Sequence, residues 1–437
     1  MPDRPGRGAS RHRPPRVGLI VNPIAGLGGR VGLKGSDGEG MAARAIELGA
    51  EPKANHRAAA ALRALVSAWP SGLPAPELLV APRSMGEDAV REVGLAPDFS
   101  VDVLPDPADG PTTAGDPTTA GDPTTADGPT TADDTKRLAT RLAGLRVDLL
   151  LFAGGDGTAR DVHAGLLGTH AGGATGRAAN GGDLPPVLGI PAGVKIQSAV
   201  YATSPAAAGR LAAEWLASAS RKTEEREVLD LDEAAYRRGE VRPALHGYLR
   251  VPAERRVQDR KAPTPPDESV AFAGIAEAIV EQMGRAADGM RWILGPGTTV
   301  RAVADRLGVP KALVGVDVVE WREDGARLVA QDGGEQAILR ALDGRSARIV
   351  VTPIGGQGFL FGRGNQPISP AVLRAAACGR APRDTLIVVA TPGKLAALGG
   401  RPLLVDTGDD RLDAELAGHV TVVTGHRDRA VIRVAVA

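Results

Sequence analysis

The sequence predicts an α/β protein whose N-terminal half contains a parallel sheet. Short apolar segments that suit strands alternate with longer stretches that suit helices, an order typical of βαβ units. One segment, Leu149 to Ala153, is apolar at every position, as expected for a strand covered on both faces of a parallel sheet. With 437 residues the chain is long for one hydrophobic core, so we expect two domains.

The elements of the first half can be placed in order along the chain. The predicted strands are Val17–Asn22, Leu78–Ala81, Val101–Leu104, Asp148–Ala153 and Val187–Ile190. The predicted helices between and after them are Ala58–Ala68, Gly86–Val93, Lys136–Ala143 and Ala159–Leu167. Ligands of parallel sheets bind beyond the carboxyl ends of the strands, so the turns that follow these strands are the first candidates for a site.

The domain organisation follows from composition. Residues 1–15 are rich in Arg, Pro and Gly without an apolar core, so we expect a disordered tail and not a signal peptide. Residues 16–244 form the predicted first domain. Within it, residues 108–134 form a disordered low-complexity insertion, in which Pro-Thr-Thr-Ala occurs four times and offers little to bury. Residues 245–437 form a second domain, α/β or mixed, that ends in a predicted antiparallel hairpin of Val420–Val423 and Ala430–Val436.

Composition excludes several kinds of partner. Lys and Arg together number 52, as do Asp and Glu, so no excess positive charge favours nucleic acid. Aromatic residues make up 3% of the chain, too few for a platform that stacks single-stranded bases. The single cysteine, Cys378, excludes an intramolecular disulfide framework and fits a reducing, cytoplasmic compartment. No apolar run reaches the roughly 18 residues that a membrane span needs.

The most informative stretch is the turn Gly154-Gly155-Asp156-Gly157-Thr158, which directly follows the apolar strand. Its three glycines let the backbone turn sharply and approach a ligand, and its amides can face an anion at the start of the next helix. Asp156 adds a carboxylate, which is unfavourable beside phosphate unless it holds a metal ion or accepts a proton from an attacking hydroxyl. Both roles suit phosphoryl transfer, so Asp156 is the candidate catalytic residue. A capping aspartate in a tight turn is the structural alternative.

Two other turns of the first half are candidate phosphate loops. An Asn-Pro pair and a glycine-rich turn follow the first strand, and a turn with a lysine and a serine follows the fifth. Lys195 would offer bound phosphates a point charge, or it would simply be a surface lysine at a helix start. The predicted nucleotide- and phosphate-binding residues are Asn22, Gly26, Gly28, Gly154, Gly155, Gly157, Thr158, Gly193, Lys195 and Ser198.

The second half contains two more glycine-rich turns. The first, after the predicted strand Arg291–Leu294, resembles the Gly-Thr-Thr phosphate loop of sugar-phosphate isomerases and sensors. The second has five glycines with an arginine and an asparagine within eleven residues, which packing alone explains poorly. A glycine-rich structural loop is the alternative for it. The residues of these two turns that we consider for phosphate binding are Gly295, Gly297, Thr298, Thr299, Gly355, Gly356, Gly358, Arg363 and Asn365.

The Gly-Gly-Asp-Gly-Thr turn resembles the signature of the superfamily of NAD kinases, diacylglycerol kinases and sphingosine kinases. Over its length outside the insertion, the chain resembles the polyphosphate/ATP-NAD kinase family. The resemblance implies a parallel Rossmann-like sheet of the NAD kinase/diacylglycerol kinase type. It also implies transfer of a phosphoryl group from ATP or polyphosphate to the 2′-hydroxyl of NAD, giving NADP. Mg²⁺ would be carried by the nucleotide and contacted by Asp156. The expected partners are NAD(H) or another hydroxyl-bearing small molecule, and we expect a homo-oligomer.

Two departures from the family pattern leave the acceptor open. Gly193-Val194-Lys195 stands where the family has a Gly-Thr pair, and His246-Gly247 stands where NAD kinases have an Asn-Glu or Asn-Asp pair that holds the dinucleotide. Asp230, Asp232 or Glu233 from the neighbouring predicted strand could replace that carboxylate. The turn at Asn22-Pro23 resembles the first nucleotide loop of the lipid kinases. The alternatives are therefore a lipid or other small-molecule kinase of the same superfamily, or a non-catalytic nucleotide or sugar-phosphate sensor.

Overall fold

The computed structural model describes residues 13–33, 40–95, 97–105, 130–167, 184–193, 196–231, 243–253 and 268–437. Most of the predicted tail and of the predicted insertion lies outside these residues, as does Lys195. The fold is mixed α/β, as the sequence predicts, with a parallel sheet in the first half and a mixed sheet in the second.

The first sheet has five parallel strands in the order β3-β2-β1-β4-β5. They are β1 (Arg16–Val21), β2 (Glu77–Val80), β3 (Ser100–Val103), β4 (Leu149–Gly154) and β5 (Val187–Pro191). The helices are α1 (Leu27–Arg30), α2 (Met41–Glu47), α3 (Ala54–Ala68), α4 (Glu87–Val93), α5 (Ala132–Gly144), α6 (Asp156–Leu167) and α7 (Pro205–Ala217), with a 3₁₀ turn at Arg83–Met85. The strands and helices predicted for this half are present, with bounds that differ by at most four residues. The chain order reverses between β1 and β4, which places a ligand crevice at their carboxyl ends.

Small residues allow the helices of this half to pack closely. The buried alanines of α3 and α7 face each other, and a Cβ on Gly209 of α7 would lie 1.9 Å from the carbonyl oxygen of Ala61. Only glycine fits at that crossing. A core with few aromatic residues therefore reaches dense packing through short side chains and close backbones.

A two-stranded antiparallel hairpin follows α7. It consists of β6 (Thr223–Leu231) and β7 (Pro243–Pro252), and Val228, Leu249 and Val251 pack in the first hydrophobic core. The predicted domain boundary at residues 244/245 falls within β7. Because apolar residues of the hairpin lie in the first core, the hairpin packs with the first half. The division into two domains stays a prediction.

The second half forms a nine-stranded sheet in the order β10-β9-β8-β11-β13-β15-β16-β14-β12. Its strands are β8 (Arg291–Leu294), β9 (Asp317–Arg322), β10 (Gly325–Ala330), β11 (Ala347–Val351), β12 (Phe359–Phe361), β13 (Leu386–Val389), β14 (Leu403–Val405), β15 (Gly418–Val423) and β16 (Arg429–Val436). Its helices are α8 (Ser269–Gly284), α9 (Thr298–Leu307), α10 (Glu335–Leu342), α11 (Pro370–Ala377), α12 (Pro392–Ala396) and α13 (Asp410–Leu416), with a 3₁₀ turn at Pro382–Thr385. Strands β8, β11, β13 and β15 run parallel, and β15 and β16 form the predicted antiparallel hairpin.

Side chains from the two halves meet at the carboxyl edge of the first sheet. Arg30 pairs with Glu335 at 2.6 Å, and Arg57 pairs with Asp406 at 2.5 Å. The first pair joins α1 to the start of α10, and the second joins α3 to the loop after β14, so residues far apart in sequence share one wall around the crevice.

Candidate active site

Asn22 ties the end of β1 to the end of β4. Its backbone N–H donates to the carbonyl of Ala153 at 2.9 Å, and its Nδ2 donates to Thr158 Oγ1 at 3.0 Å. Its Oδ1 accepts the N–H of Ile24 at 3.2 Å, which closes the turn after β1. Asn22 thus fixes two of the predicted phosphate loops relative to each other.

The predicted glycines bring three loops into direct contact. The N–H groups of Ala192 and Gly193 both donate to the Gly154 carbonyl at 2.9 Å, and a Cβ on Gly193 would lie 2.5 Å from Gly155 Cα. Gly26 has a φ of +80°, and a Cβ there would lie 2.2 Å from the Ala192 carbonyl oxygen. The absence of side chains at these positions is therefore required by the contact between loops.

The Asp156 carboxylate begins α6 and faces the chain after β5. Its Oδ2 accepts the N–H of Gln197 at 2.6 Å, and its Oδ1 accepts the N–H of Ser198 at 3.0 Å. Only 6% of the residue is exposed. Burial raises the pKa of Asp156 to about 7, against the lowering effect of the hydrogen bonds from Ser198 and Gln197, and the nearby Asp230 raises the pKa further. The carboxyl can therefore change its proton near neutral pH.

Two buried hydroxyls hold the segment around Asp156. Ser198 Oγ donates to the Leu229 carbonyl at 2.7 Å and accepts the Leu229 N–H at 3.0 Å, which joins this segment to β6. The Tyr201 hydroxyl donates to the Gly155 carbonyl at 2.5 Å. Ser198, predicted as a phosphate ligand, thus uses its hydroxyl to position backbone in this structure.

The strand that carries His246-Gly247 lies against α6. His246 is an extra residue in β7, because Val228 pairs with Gly247 and Leu229 pairs with Leu245. Gly247 approaches His163 so closely that a Cβ there would lie 2.3 Å from His163 Nε2. Burial lowers the pKa of His163, and the nearby His246 lowers it further.

Asp230, one of the three predicted replacements for the missing carboxylate, is held by an arginine, whereas Asp232 and Glu233 lie outside the described residues. Arg160 Nη1 donates to Asp230 Oδ2 at 2.6 Å. Arg160 lies about one turn after Asp156 on α6, and Asp230 lies on β6 directly after Leu229, which Ser198 binds. This region thus contains an arginine–aspartate pair and two histidines.

A cleft separates the loops of the first sheet from the second half. Among the described residues, Gly26, Gly193 and Arg363 are predicted site residues that line it, whereas Asp156 is not a lining residue. The charged lining residues are Arg30, Glu51, Lys53, Arg57, Arg363 and Asp406. The cleft therefore reaches the three-loop junction at Gly26 and Gly193, and Gln197 and Ser198 are not among its described lining residues.

The turn Gly295–Thr299 surrounds a buried lysine and not the cleft. Lys394 Nζ lies 3.0 Å from Thr299 Oγ1 and 2.9 Å from Thr352 Oγ1, and the lysine is 9% exposed. Gly297 has a φ of +112°, and a Cβ there would lie 2.8 Å from the methyl carbon of Thr352. The cluster stands at the carboxyl ends of β8, β11 and β13.

The second predicted turn, from Gly355 to Asn365, reaches the first half directly. Gln357 Nε2 donates to the Ile196 carbonyl at 3.0 Å. Arg363 Nη2 donates to the carbonyls of Ala202 and Thr203 at 3.1 and 2.7 Å. Asn365 Nδ2 donates within the turn to the Leu360 carbonyl at 2.5 Å. The turn therefore supports the chain segment, residues 196–203, that lies behind Asp156.

Several residues that shape this region were not among the predicted site residues. Arg57 lies in the part of α3 that precedes the predicted helix start, and its partner Asp406 is 349 positions away. Gln357, Lys394 and Tyr201 likewise act on partners distant in sequence. In the sequence, Gln357 lies in a glycine-rich segment and Lys394 follows Thr-Pro-Gly. These patterns indicate turns, but they do not indicate the distant partners.

The described residues show no group of three or more His, Cys, Asp or Glu side chains that could hold a metal ion. Asp156 belongs to no such group, and its two oxygens each accept a backbone N–H. This donor set does not fit a resident divalent cation, although it is compatible with a carboxylate that meets a cation arriving with the nucleotide. Within the same residues, no helix is both long and apolar enough to cross a membrane.

The comparisons with known proteins identify the family. The model of the ATP-NAD kinase N-terminal domain matches residues 17–219, and that of the ATP-NAD kinase C-terminal domain matches residues 287–434. No curated protein matches the chain significantly. Among solved structures, a “putative diacylglycerol kinase” from Bacillus anthracis str. Sterne matches at 13% identity and a TM-score of 0.23, over 71% of this chain and 76% of that one. Since the two family models describe the two halves of one enzyme and together span most of the chain, this protein belongs to the ATP-NAD kinase family and is an ATP-dependent kinase-like phosphotransferase.

Proposed function

We propose that the protein transfers a phosphoryl group from ATP, or from polyphosphate, to the 2′-hydroxyl of NAD and so makes NADP. Membership of the ATP-NAD kinase family supports the reaction class and the acceptor. The observation that carries the proposal is the position of Asp156. It stands where three glycine loops meet, with a pKa raised by burial to about 7. A group with a pKa near the working pH is suited to accept a proton during transfer.

In the proposed reaction, the acceptor hydroxyl attacks the terminal phosphorus of the donor. The O–P bond to the acceptor forms while the bond from phosphorus to the donor's bridging oxygen breaks, and the hydroxyl proton passes to an Asp156 oxygen. A carboxylate has about four lone-pair sites, and backbone N–H groups occupy two of them here, so the hydroxyl can use a remaining site. Mg²⁺ bound to the donor would neutralise phosphate charge when it is present.

A second candidate acceptor is a different hydroxyl compound. The observation that favours it is the exposed His246 beside Gly247, at the place where NAD kinases have a pair that holds the dinucleotide. Asp230 supplies a carboxylate nearby, but Arg160 already binds it at 2.6 Å. An acceptor other than NAD would need contacts that suit an arginine–aspartate pair and a histidine.

Product analysis would test the proposal. The purified protein is incubated with Mg²⁺, either ATP or polyphosphate, and either NAD or NADH, and the products are separated and their phosphate positions identified. Formation of a 2′-phosphorylated dinucleotide is expected. Donor consumption with a phosphorylated product only when another hydroxyl compound is supplied would favour the second candidate. Nucleotide binding without turnover would favour a sensor. The cytoplasmic location and the homo-oligomeric state stay predictions from the sequence.

A further inference from the structure

Arg363 is a buried cation whose hydrogen-bonding capacity is only partly used. It is 2% exposed, and its guanidinium stacks on Phe359 at 4.3 Å from the ring centroid. Nη2 donates to two carbonyls, but Nε and Nη1 have no hydrogen-bond partner among the described residues. A buried donor without a partner is costly, and a charged one more so.

The carboxylates around Arg363 are used elsewhere. Burial lowers the pKa of Arg363 to about 9, and Asp406 is the group that most opposes this shift. Asp406, however, forms its ion pair with Arg57 at 2.5 Å. Arg363 therefore retains a charge that the protein itself compensates incompletely.

The remaining charges of the cleft leave one more cation. Arg30 pairs with Glu335 at 2.6 Å, and Arg57 with Asp406. Lys53 lines the cleft and makes no ion pair with a described residue. The other lining carboxylate, Glu51, is 74% exposed in its side chain and lies 3.7 Å from Arg30. Among the described residues that line the cleft, Arg363 and Lys53 are thus the cations that form no ion pair.

We propose that Arg363 and Lys53 bind an oligophosphate, a chain of at least two linked phosphates, in the cleft between the two halves. Nε and Nη1 of Arg363 can each donate to a phosphate oxygen, while Lys53 offers a point charge to another phosphate. Gly26 and Gly193 leave the cleft wall beside them free of side chains. Naming the source of this oligophosphate as the phosphoryl donor rests on the proposed function.

Direct binding tests this site without turnover. Calorimetry at low salt measures the affinity of inorganic pyrophosphate and tripolyphosphate for the wild-type protein and for Arg363→Met, Arg363→Lys and Lys53→Met. We expect Arg363→Met to weaken binding at least about tenfold, as for a lost charged hydrogen bond, and Arg363→Lys to weaken it less. Arg374→Met is the matched control, because Arg374 pairs with Asp409 on the surface and should leave affinity unchanged.

Folding of each variant is checked by circular dichroism and by the Tm without ligand. If Arg363→Met does not fold, the exposed Lys53→Met decides, since it should fold and still weaken pyrophosphate binding several-fold. Wild-type affinity in Lys53→Met and in folded Arg363→Lys would overturn the site, as would the absence of oligophosphate binding to the wild-type protein.

Steady-state kinetics distinguish the two sources of the oligophosphate. A raised KM for ATP with an unchanged KM for NAD assigns the site to the donor, and the reverse assigns it to the pyrophosphate of the dinucleotide. If Arg363 binds pyrophosphate but no NADP forms, the site stands and the proposed function fails. If NADP forms while pyrophosphate affinity is the same in all variants, the function stands and the site fails.

Discussion

Two opposing effects act on the negative charge of the Asp156 carboxyl, since burial makes the charge costly and hydrogen bonds favour it. Burial removes water from the carboxylate, whereas the N–H groups of Gln197 and Ser198 stabilise its ionised form, and the balance places its pKa at about 7. A turn-capping aspartate needs no such balance. The sequence motif already made Asp156 the candidate proton acceptor, but the pKa raised by burial could be found only from the fold.

We predict that Asp156→Asn lowers kcat at least about 10²-fold, the lower range for a positioned acid–base group, while the protein still binds nucleotide. The measurements are kcat and the nucleotide Kd. Asparagine keeps the shape of the side chain but turns an NH₂ group toward one of the two backbone N–H groups, so the backbone after β5 will be disturbed to some extent.

The matched control is Asp148→Asn, at the amino end of the same strand. Asp148 also accepts a backbone N–H, that of Arg16 at 2.7 Å, but it lies at the edge of the sheet away from the site. Loss of stability with normal kcat is expected there. Normal turnover of folded Asp156→Asn would make Asp156 a capping residue and favour the sensor interpretation.

Activity should depend on pH through the ionisation of Asp156. A base must be deprotonated, so kcat/KM should rise about tenfold per pH unit below pH 7 and level off above it. The profile is recorded from pH 5.5 to 8.5 with saturating donor. An unaltered rise in Asp156→Asn would show that another group titrates.

The same ionisation affects stability in the opposite sense. The pKa of Asp156 is about 7 in the folded protein against an ordinary value of 3.8, so the folded state binds this proton more tightly than the unfolded state. Its contribution to stability is full below pH 4 and is lost as pH rises through 7. The Tm of Asp156→Asn minus that of the wild type should therefore increase between pH 4 and 7.5. A constant difference would contradict the raised pKa.

At the scale of elements, the sequence located the strands of the first half and the turns that follow them. Continuous apolar runs such as β4 are distinctive because both faces of the strand are covered. Helix starts were less distinctive. The first turn of α3 is polar, so the predicted helix began at Ala58 and left Arg57 outside. The glycines of the turns were interpreted as openings for a ligand, whereas the structure shows that they also let the loops touch one another.

Alanine substitutions of these glycines should show which positions are needed for the contact between loops. A Cβ at residue 193 would lie 2.5 Å from Gly155 Cα, but a Cβ at residue 155 would lie 3.1 Å from Gly193 Cα. We predict that Gly193→Ala costs about 1–3 kcal/mol of stability, as overpacking does, and that Gly155→Ala costs less. Urea unfolding measures both.

Gly144→Ala is the control for this pair of substitutions. Gly144 lies in α5, and a Cβ there would meet no atom within 4 Å, so alanine should be neutral or stabilising. Equal stability of Gly193→Ala and Gly144→Ala would contradict the loop contact seen in the structure.

At the scale of the whole molecule, the sequence indicated two halves but not how they meet. Gln357 and Ile196 are 161 positions apart, and Arg57 and Asp406 are 349 apart. Such contacts depend on the packing of complete sheets, so a local sequence pattern does not predict them. Arg363 was predicted to bind phosphate from its glycine-rich setting, yet its carbonyl partners at Ala202 and Thr203 could be found only from the fold.

The repeat insertion provides a test at this scale. We predict that deleting residues 110–131 changes Tm and kcat little, because loop length enters stability only logarithmically and the segment offers little to bury. Thermal unfolding and the kinase assay on the deletion protein measure this. A substantial loss of either quantity would mean that the segment packs against the protein or contacts a substrate.

The hydrogen bond from Gln357 to the Ile196 carbonyl makes the first half of the protein depend on the second. The match to the N-terminal family model ends at residue 219, and that portion already contains the entire Gly-Gly-Asp-Gly-Thr turn. The N–H groups of residues 197 and 198 bind Asp156. The residue before them is Ile196, whose carbonyl accepts the hydrogen bond from Gln357 of the second half. A transplanted first half would therefore carry the signature without the support that orients it. When members of this family are recombined, both halves of the resulting protein should therefore come from the same parent protein.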